Sequence, residues 1–382
     1  MPKPRNIRRL KKVKLSLDGL ALTMSGKGLQ QCQSLEITNG YPEGELSSWL
    51  FSQIGLFHLI SPHLPRVIET DFSVSPATRT LIENMYAFDD IAKPKIVAPG
   101  CENPRFDVDR LCPSGSPERV AVLYSGGKDS MYHMALAQEQ YGPENVIAVH
   151  IAGLNKGISS GEKRSAISQA AKFGFQNFRI IGLSNGSESC GAEVLRSALI
   201  FDPALVVPVA LEFGATQIIR EAPGSARYFT NNSETIRWFN KRFLGSSGLP
   251  IRISWFKRPA GGVVKELILR RPDWIKEVHN CFTPTNYKIA IRRSWDKLTP
   301  TFPLFESQCG SCVKCRITRL GWLLYGEHEI SKEDGVKFIK HTIAWAKTKW
   351  ATHKDIMRGS FANYLDEACC RYGVENTFKP VA

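Results

Sequence analysis

Six consecutive residues, Ser125-Gly126-Gly127-Lys128-Asp129-Ser130, bring together groups suited to holding a polyphosphate. Two glycines permit positive φ and a close backbone approach, so successive N–H groups can line one concavity. Ser125 and Ser130 add hydroxyl donors, and Asp129 is a natural ligand for a Mg²⁺ that bridges phosphate oxygens. Lys128 either touches phosphate or points to solvent. The motif is not the G-x-x-x-x-G-K-[ST] loop, which this chain lacks.

A second constellation is Cys309-Gly310-Ser311-Cys312-Val313-Lys314-Cys315, three thiols at i, i+3 and i+6 in a glycine-containing turn. Thiols so spaced can converge on one metal. A structural tetrahedral zinc needs four ligands, and Cys281 is the best fourth candidate. Thiolates also hold iron–sulfur clusters, so spacing alone leaves the metal open. Cys32, Cys101, Cys112, Cys190 and the vicinal Cys369-Cys370 show no ligand spacing and read as structural.

The phosphate motif needs a strand before it and a helix after it. Val120–Tyr124 is an apolar β-type run, and Met131, Met134, Ala135 and Leu136 recur at helical spacing. The helix N-terminus then adds free N–H groups and a dipole that favours an anion. From 119 onward, strand-like runs at 119–124, 146–152, 178–183, 217–222 and 251–256 alternate with helix-like runs at 128–140, 161–174, about 191–213, 232–243 and about 262–271. That alternation predicts an α/β fold with a doubly wound parallel sheet, its ligand at the carboxyl ends of the strands. Val149, His150 and Ile151, ending the second of these strands, are expected to offer backbone groups to a nucleotide base. His150 by itself also fits a packed strand histidine.

Strand–SGGxDS–helix resembles the PP-loop of the N-type ATP pyrophosphatases, which cleave ATP between the α and β phosphates and adenylate a substrate. With the late Cys…CGxCxxCxxR run, the chain is similar to the 7-cyano-7-deazaguanine synthase (QueC) family over about 119–325. The resemblance implies an adenine nucleotide alpha hydrolase-like fold, ATP and Mg²⁺ on Ser125, Gly126, Gly127, Asp129 and Ser130, and a zinc on Cys281, Cys309, Cys312 and Cys315. It also matches Ala198–Ala215 with Ile218-Ile219, and Lys265-Glu266-Leu267, to family segments, and sets Arg319 near a trailing basic position. The chain departs from the family in five places, the first being the 27 residues between Cys281 and Cys309, longer than expected for the family. Lys128 stands where an apolar residue is usual, and Ala152–Gly157 replaces a Tyr-Gly-Gln loop. Residues 1–118 and the helical tail from 331 are additions. Such embellished relatives resemble proteins of bacterial antiphage defence islands, of the QatC and type IV CBASS kinds, associated with attaching a deazaguanine-derived group to a partner protein.

The chain has 382 residues, 43% of them hydrophobic, with a mean hydropathy of −0.19, ordinary values for a globular protein. No apolar run long enough for a membrane span or a secretory signal is present, and ten cysteines without secretory context favour metal binding or packing over disulfides. The cytoplasm is the expected compartment. Net charge is +14, and Lys3, Arg5, Arg8, Arg9, Lys11, Lys12 and Lys14 carry half of it. This basic tail reads equally as a solvated arm or as a contact to a nucleic-acid backbone.

Expected boundaries are an N-terminal accessory α+β domain at 1–105, a linker at 106–118, the ATP-binding domain at 119–275, the cysteine loop at 276–325 and a C-terminal helical segment at 326–382. The accessory part should hold a hairpin, with Val13–Leu17 and Leu20–Leu22 around Asp18-Gly19, and a helix at 46–60.

The leading functional expectation is ATP-dependent adenylation of a carboxylate, by resemblance a 7-deazaguanine carboxylic acid, and transfer to an amine. Asp129, Lys128 and Ser130 are the catalytic candidates, with Lys128, Arg220 and Lys265 as candidate phosphate contacts. The amine is either ammonia, leading to the nitrile, or a group on a partner protein. A tRNA-thiolating enzyme of the same superfamily and a non-catalytic nucleotide- or nucleic-acid-binding protein are the alternatives. Whether the chain forms a homodimer is left open.

Overall fold

The computed structural model describes residues 9–29, 32–106, 118–153, 159–185, 195–223, 229–279, 312–326, 330–357 and 359–378. Cys281, Cys309, most of the 106–118 segment and most of the 152–157 loop lie outside them. The chain divides into two compact units, the first made of Met1–Leu123, Ala137–Ser160 and Phe175–Phe256, the second of Tyr124–Leu136, Gly161–Gly174 and Lys257–Ala382.

The first unit contains a ten-stranded, mostly parallel sheet. Its strands are β1 (Lys12–Asp18), β2 (Ala21–Ser25), β3 (Gln33–Asn39), β4 (Val67–Thr70), β5 (Lys95–Val97), β6 (Arg119–Leu123), β7 (Val146–Ala152), β8 (Asn177–Asn185), β9 (Ala215–Ile219) and β10 (Arg252–Ser254). The spatial order is β10-β9-β6-β7-β8-β3-β2-β1-β4-β5. The run β10-β9-β6-β7-β8 is all parallel and changes direction between β6 and β9, an arrangement compatible with a doubly wound α/β fold. The central strand β7 is buried at all seven residues, as a strand covered on both faces must be.

The expected hairpin is present: Asp18 pairs with Ala21 around a turn at Gly19 and Leu20. Val13 and Leu15 on β1, with Leu22 and Met24 on β2, point to one buried face. These N-terminal strands do not form a sheet of their own. Through β3, which runs antiparallel to β8 (Ile37 opposite Leu183), residues 12–97 extend the same sheet that carries β6–β10.

Two helices cover this sheet in the first unit. Helix α1 (Glu45–Ile60) contacts β2 and β3, and α5 (Leu195–Glu212) contacts β6, β7 and β9; the two also pack on each other. Both are apolar almost all round, which suits helices enclosed between sheet and neighbours. His58 of α1 stacks on Phe201 of α5 with ring centres 4.1 Å apart. This unit also holds α2 (Pro76–Phe88), capped by Ser75 accepting from the Thr78 amide, and α6 (Ser233–Trp238), capped by Asn232 accepting from the Glu234 amide.

Helix α3 (Lys128–Tyr141) begins in the second unit, as does most of α4 (Ser159–Lys172). Also there are α7 (Val263–Arg270), α8 (Val313–Tyr325), α9 (Lys332–Met357) and α10 (Ser360–Tyr372). Helix α8 is the centre of this group and contacts α7, α9 and α10. Among the described residues no helix is long and apolar enough to cross a membrane.

Part of the basic N-terminal run is committed to the fold. Arg9 donates to the carbonyls of Leu64 (3.0 Å) and Ala92 (3.1 Å) and lies over the Tyr86 ring, while Lys12 pairs with Glu69 at 2.6 Å. Lys12 and Lys14 belong to β1 rather than to an arm before it.

Candidate phosphate site

β6 ends at Leu123, and the chain turns at once through Tyr124–Gly127 into α3. Gly126 adopts φ +75°, and a Cβ there would meet Gln169 Oε1 at 2.6 Å, so the position needs glycine on both counts. Ser130 ties the loop into a ring. Its Oγ accepts from the Ser125 amide at 3.2 Å, lies 3.2 Å from Ser125 Oγ and donates to the Gly127 carbonyl at 3.0 Å. Ser125 itself is exposed, so its hydroxyl can turn to a ligand.

The helix then starts: Met131 N–H donates to Gly127 O at 2.9 Å, so Lys128, Asp129 and Ser130 supply first-turn amides that lack an acceptor within the helix. Amides of this kind, beside a positive-φ glycine, make a concavity for an anion.

Charge at the mouth of the loop is carried by Lys128 and Asp129, whose ammonium and carboxylate form an ion pair. Burial raises the Asp129 pKa, but Lys128 foremost, then Arg258 and His133, outweigh it, and the net shift is downward. Asp129 is therefore an anion at neutral pH, as a magnesium ligand must be. Arg258 and His133 were not singled out from sequence, although His133, one helical turn after Asp129, was legible in the spacing. Tyr124 keeps its proton, because burial raises its pKa, and its hydroxyl donates to Gln169 Oε1 at 2.8 Å. Gln169, on α4, was also missed, and nothing local in its surroundings marks it.

Val149, His150 and Ile151 are all buried in β7, at 0%, 2% and 8% exposure. The β7 ladder to β6 stops at the Leu123–Val149 pair, whereas its ladder to β8 continues to Ala152 opposite Gly182. Residues 150–152 thus extend beyond β6 along one edge, the kind of place where strand backbone meets a ligand in parallel sheets. Gly153 closes the strand at φ +102°, and a Cβ there would lie 1.6 Å from the Leu183 carbonyl oxygen.

The two other candidate phosphate contacts are engaged in packing. Arg220 is 1% exposed, and its Nε donates to the Glu221 carbonyl at 2.7 Å. Lys265 Nζ sits 4.7 Å from the centre of the Tyr325 ring, and its backbone amide donates to Tyr364 OH.

Of the four cysteines expected to bind metal, the structure describes two. Cys312 occupies the N-cap position of α8, Cys315 is fully buried in its first turn, and their sulfurs are 3.4 Å apart. That distance is far beyond a disulfide bond and close to the ~3.8 Å edge of a tetrahedral zinc–thiolate centre. Among the described residues no group of three or more His, Cys, Asp or Glu side chains converges on a metal position.

Fold and site together define an α/β protein with a glycine-serine loop after β6, the strand beside the reversal in sheet order. The chain matches no protein-family model and no curated protein sequence.

Proposed function

We propose that this chain is an ATP-dependent enzyme of the PP-loop class, with a doubly wound core, that adenylates a carboxylate and passes the acyl group to an amine. The observation that carries the reading is the 125–130 loop: a positive-φ glycine, two facing hydroxyls, an ionised aspartate and the first-turn amides of a helix follow the strand beside the sheet-order switch.

In this reading the β- and γ-phosphates of ATP lie on the loop amides and the Ser125 hydroxyl, while Ser130, engaged by the Ser125 amide and the Gly127 carbonyl, holds the loop in shape. Asp129 is the residue that would hold magnesium, which supplies charge neutralisation on the phosphates. A substrate carboxylate oxygen attacks the α-phosphorus, the α–β bridging bond breaks, and pyrophosphate leaves with its charge held by the loop amides. The amine then attacks the acyl carbon and AMP departs, so no covalent protein nucleophile is required. Lys128, paired with Asp129, is placed to exchange that partner for a phosphate oxygen.

The substrate proposed from the QueC resemblance is a 7-deazaguanine carboxylic acid, and the acceptor an amine on a partner protein of antiphage defence. The thiols of Cys312 and Cys315 suit a structural zinc completed by Cys281 and Cys309.

Incubation with 7-carboxy-7-deazaguanine, ATP and Mg²⁺ should release pyrophosphate and form the acyl-adenylate, and Asp129→Ala should abolish both. Unchanged turnover in that variant would sink the enzyme reading. Efficient nitrile release on adding ammonium would instead assign the free nitrile, rather than a modified protein, as product.

A further inference from the structure

The Gly126 carbonyl accepts two hydrogen bonds, from Gln169 Nε2 at 3.2 Å and from the His279 amide at 2.9 Å. The Gly126–Gly127 peptide is planar and trans, so its N–H leaves on the side opposite its carbonyl. That N–H reaches towards the exposed Ser125 hydroxyl, at 3.4 Å. A peptide between two glycines turns over at little steric cost. Turned over, it would aim a carbonyl oxygen at the anion position and withdraw an amide from it.

Gln169 is itself held in one orientation. Its Nε2 donates both to Gly126 O and, at 2.6 Å, to Glu277 O, and carbonyls can only accept. Its Oε1 therefore faces the Tyr124 hydroxyl, which donates at 2.8 Å. The side chain is 2% exposed, so water does not compete for these bonds.

We propose that Gln169 is a positioning residue that locks the Gly126–Gly127 peptide with its amide towards the bound pyrophosphate moiety. This rests on the reading of 125–130 as a phosphate loop. The lock also ties the loop to residues 277–279, at the start of the expected cysteine loop.

The test uses the full-length protein and inorganic pyrophosphate as probe, titrated calorimetrically into wild type, Gln169→Met and Gln169→Glu. Methionine fills similar volume without donors, and glutamate sets an acceptor against two carbonyls. Both variants should bind pyrophosphate at least tenfold more weakly. In glycine-¹⁵N-labelled protein the Gly127 amide resonance should move downfield with pyrophosphate in wild type and stay in place in Gln169→Met, a signature that general loosening of the fold would not produce. If Gln169→Glu does not fold, Gln169→Met alone decides. Wild-type affinity, or an intact Gly127 shift, in Gln169→Met would overturn the role of Gln169 and leave the phosphate loop standing. Failure of wild type to bind pyrophosphate would overturn the phosphate reading itself.

Discussion

The hydroxyls of Ser125 and Ser130 face each other across the 125–130 loop at 3.2 Å, and only Ser130 is buried. Ser130 therefore serves the loop's shape and Ser125 remains available to a ligand. Ser130→Ala removes the acceptor of the Ser125 amide and the donor to Gly127 O. It should lower stability by about 1–3 kcal/mol and weaken pyrophosphate binding. Ser125→Ala should weaken binding with little loss of stability. Urea unfolding and calorimetry on the two variants separate the roles, and equal stability losses would contradict the assignment.

At Gly153 the constraint is steric. An added Cβ would strike the Leu183 carbonyl on the neighbouring strand, and the backbone φ is unsuited to an L side chain. Gly153→Ala should cost more than about 2 kcal/mol, seen as a lower urea midpoint, or prevent accumulation of folded protein. A variant as stable as wild type would contradict this geometry.

His58 gives the fold an acid-sensitive point away from the loop. Burial lowers its pKa to about 4. Unfolded, a histidine titrates near 6.5, so below that pH the unfolded chain binds a proton that the folded chain refuses. Stability should thus fall as pH drops from about 6.5 to about 4, by on the order of 3 kcal/mol from this group alone. Measured as urea midpoints across that range, wild type should lose more than His58→Leu. Parallel losses would place the acid sensitivity elsewhere.

The two described sulfurs predict metal content. Purified protein should be colourless with one equivalent of zinc, and Cys312→Ser or Cys315→Ser should lower that equivalent in elemental analysis. A brown protein absorbing near 400 nm would point instead to an iron–sulfur cluster and to the tRNA-thiolating alternative.

Local chemistry made much of the core legible. Asp18-Gly19 between alternating apolar runs marked the hairpin, and the apolar run Val146–Ala152 coincides with β7 at both ends. The strand at 217–222 starts earlier, at Ala215, directly after Gly214 at φ +79°, and ends at Ile219. Pairing partners were not legible. β3 and β8 are separated by well over a hundred residues, and nothing in either run names the other. Gln169 was hidden for the same reason: its bonds go to Tyr124, Gly126 and Glu277, and only tertiary structure brings these together.

The antiparallel seam between β3 and β8 has a consequence for how this chain can be shortened. A chain beginning at Arg119 would retain β6–β10 yet leave the nine-residue β8 with one row of backbone N–H and C=O groups facing solvent. Long bare edges of this kind recruit other strands, so the shortened chain should self-associate. Residues 12–97 thus guard the β6–β10 half of the sheet against aggregation.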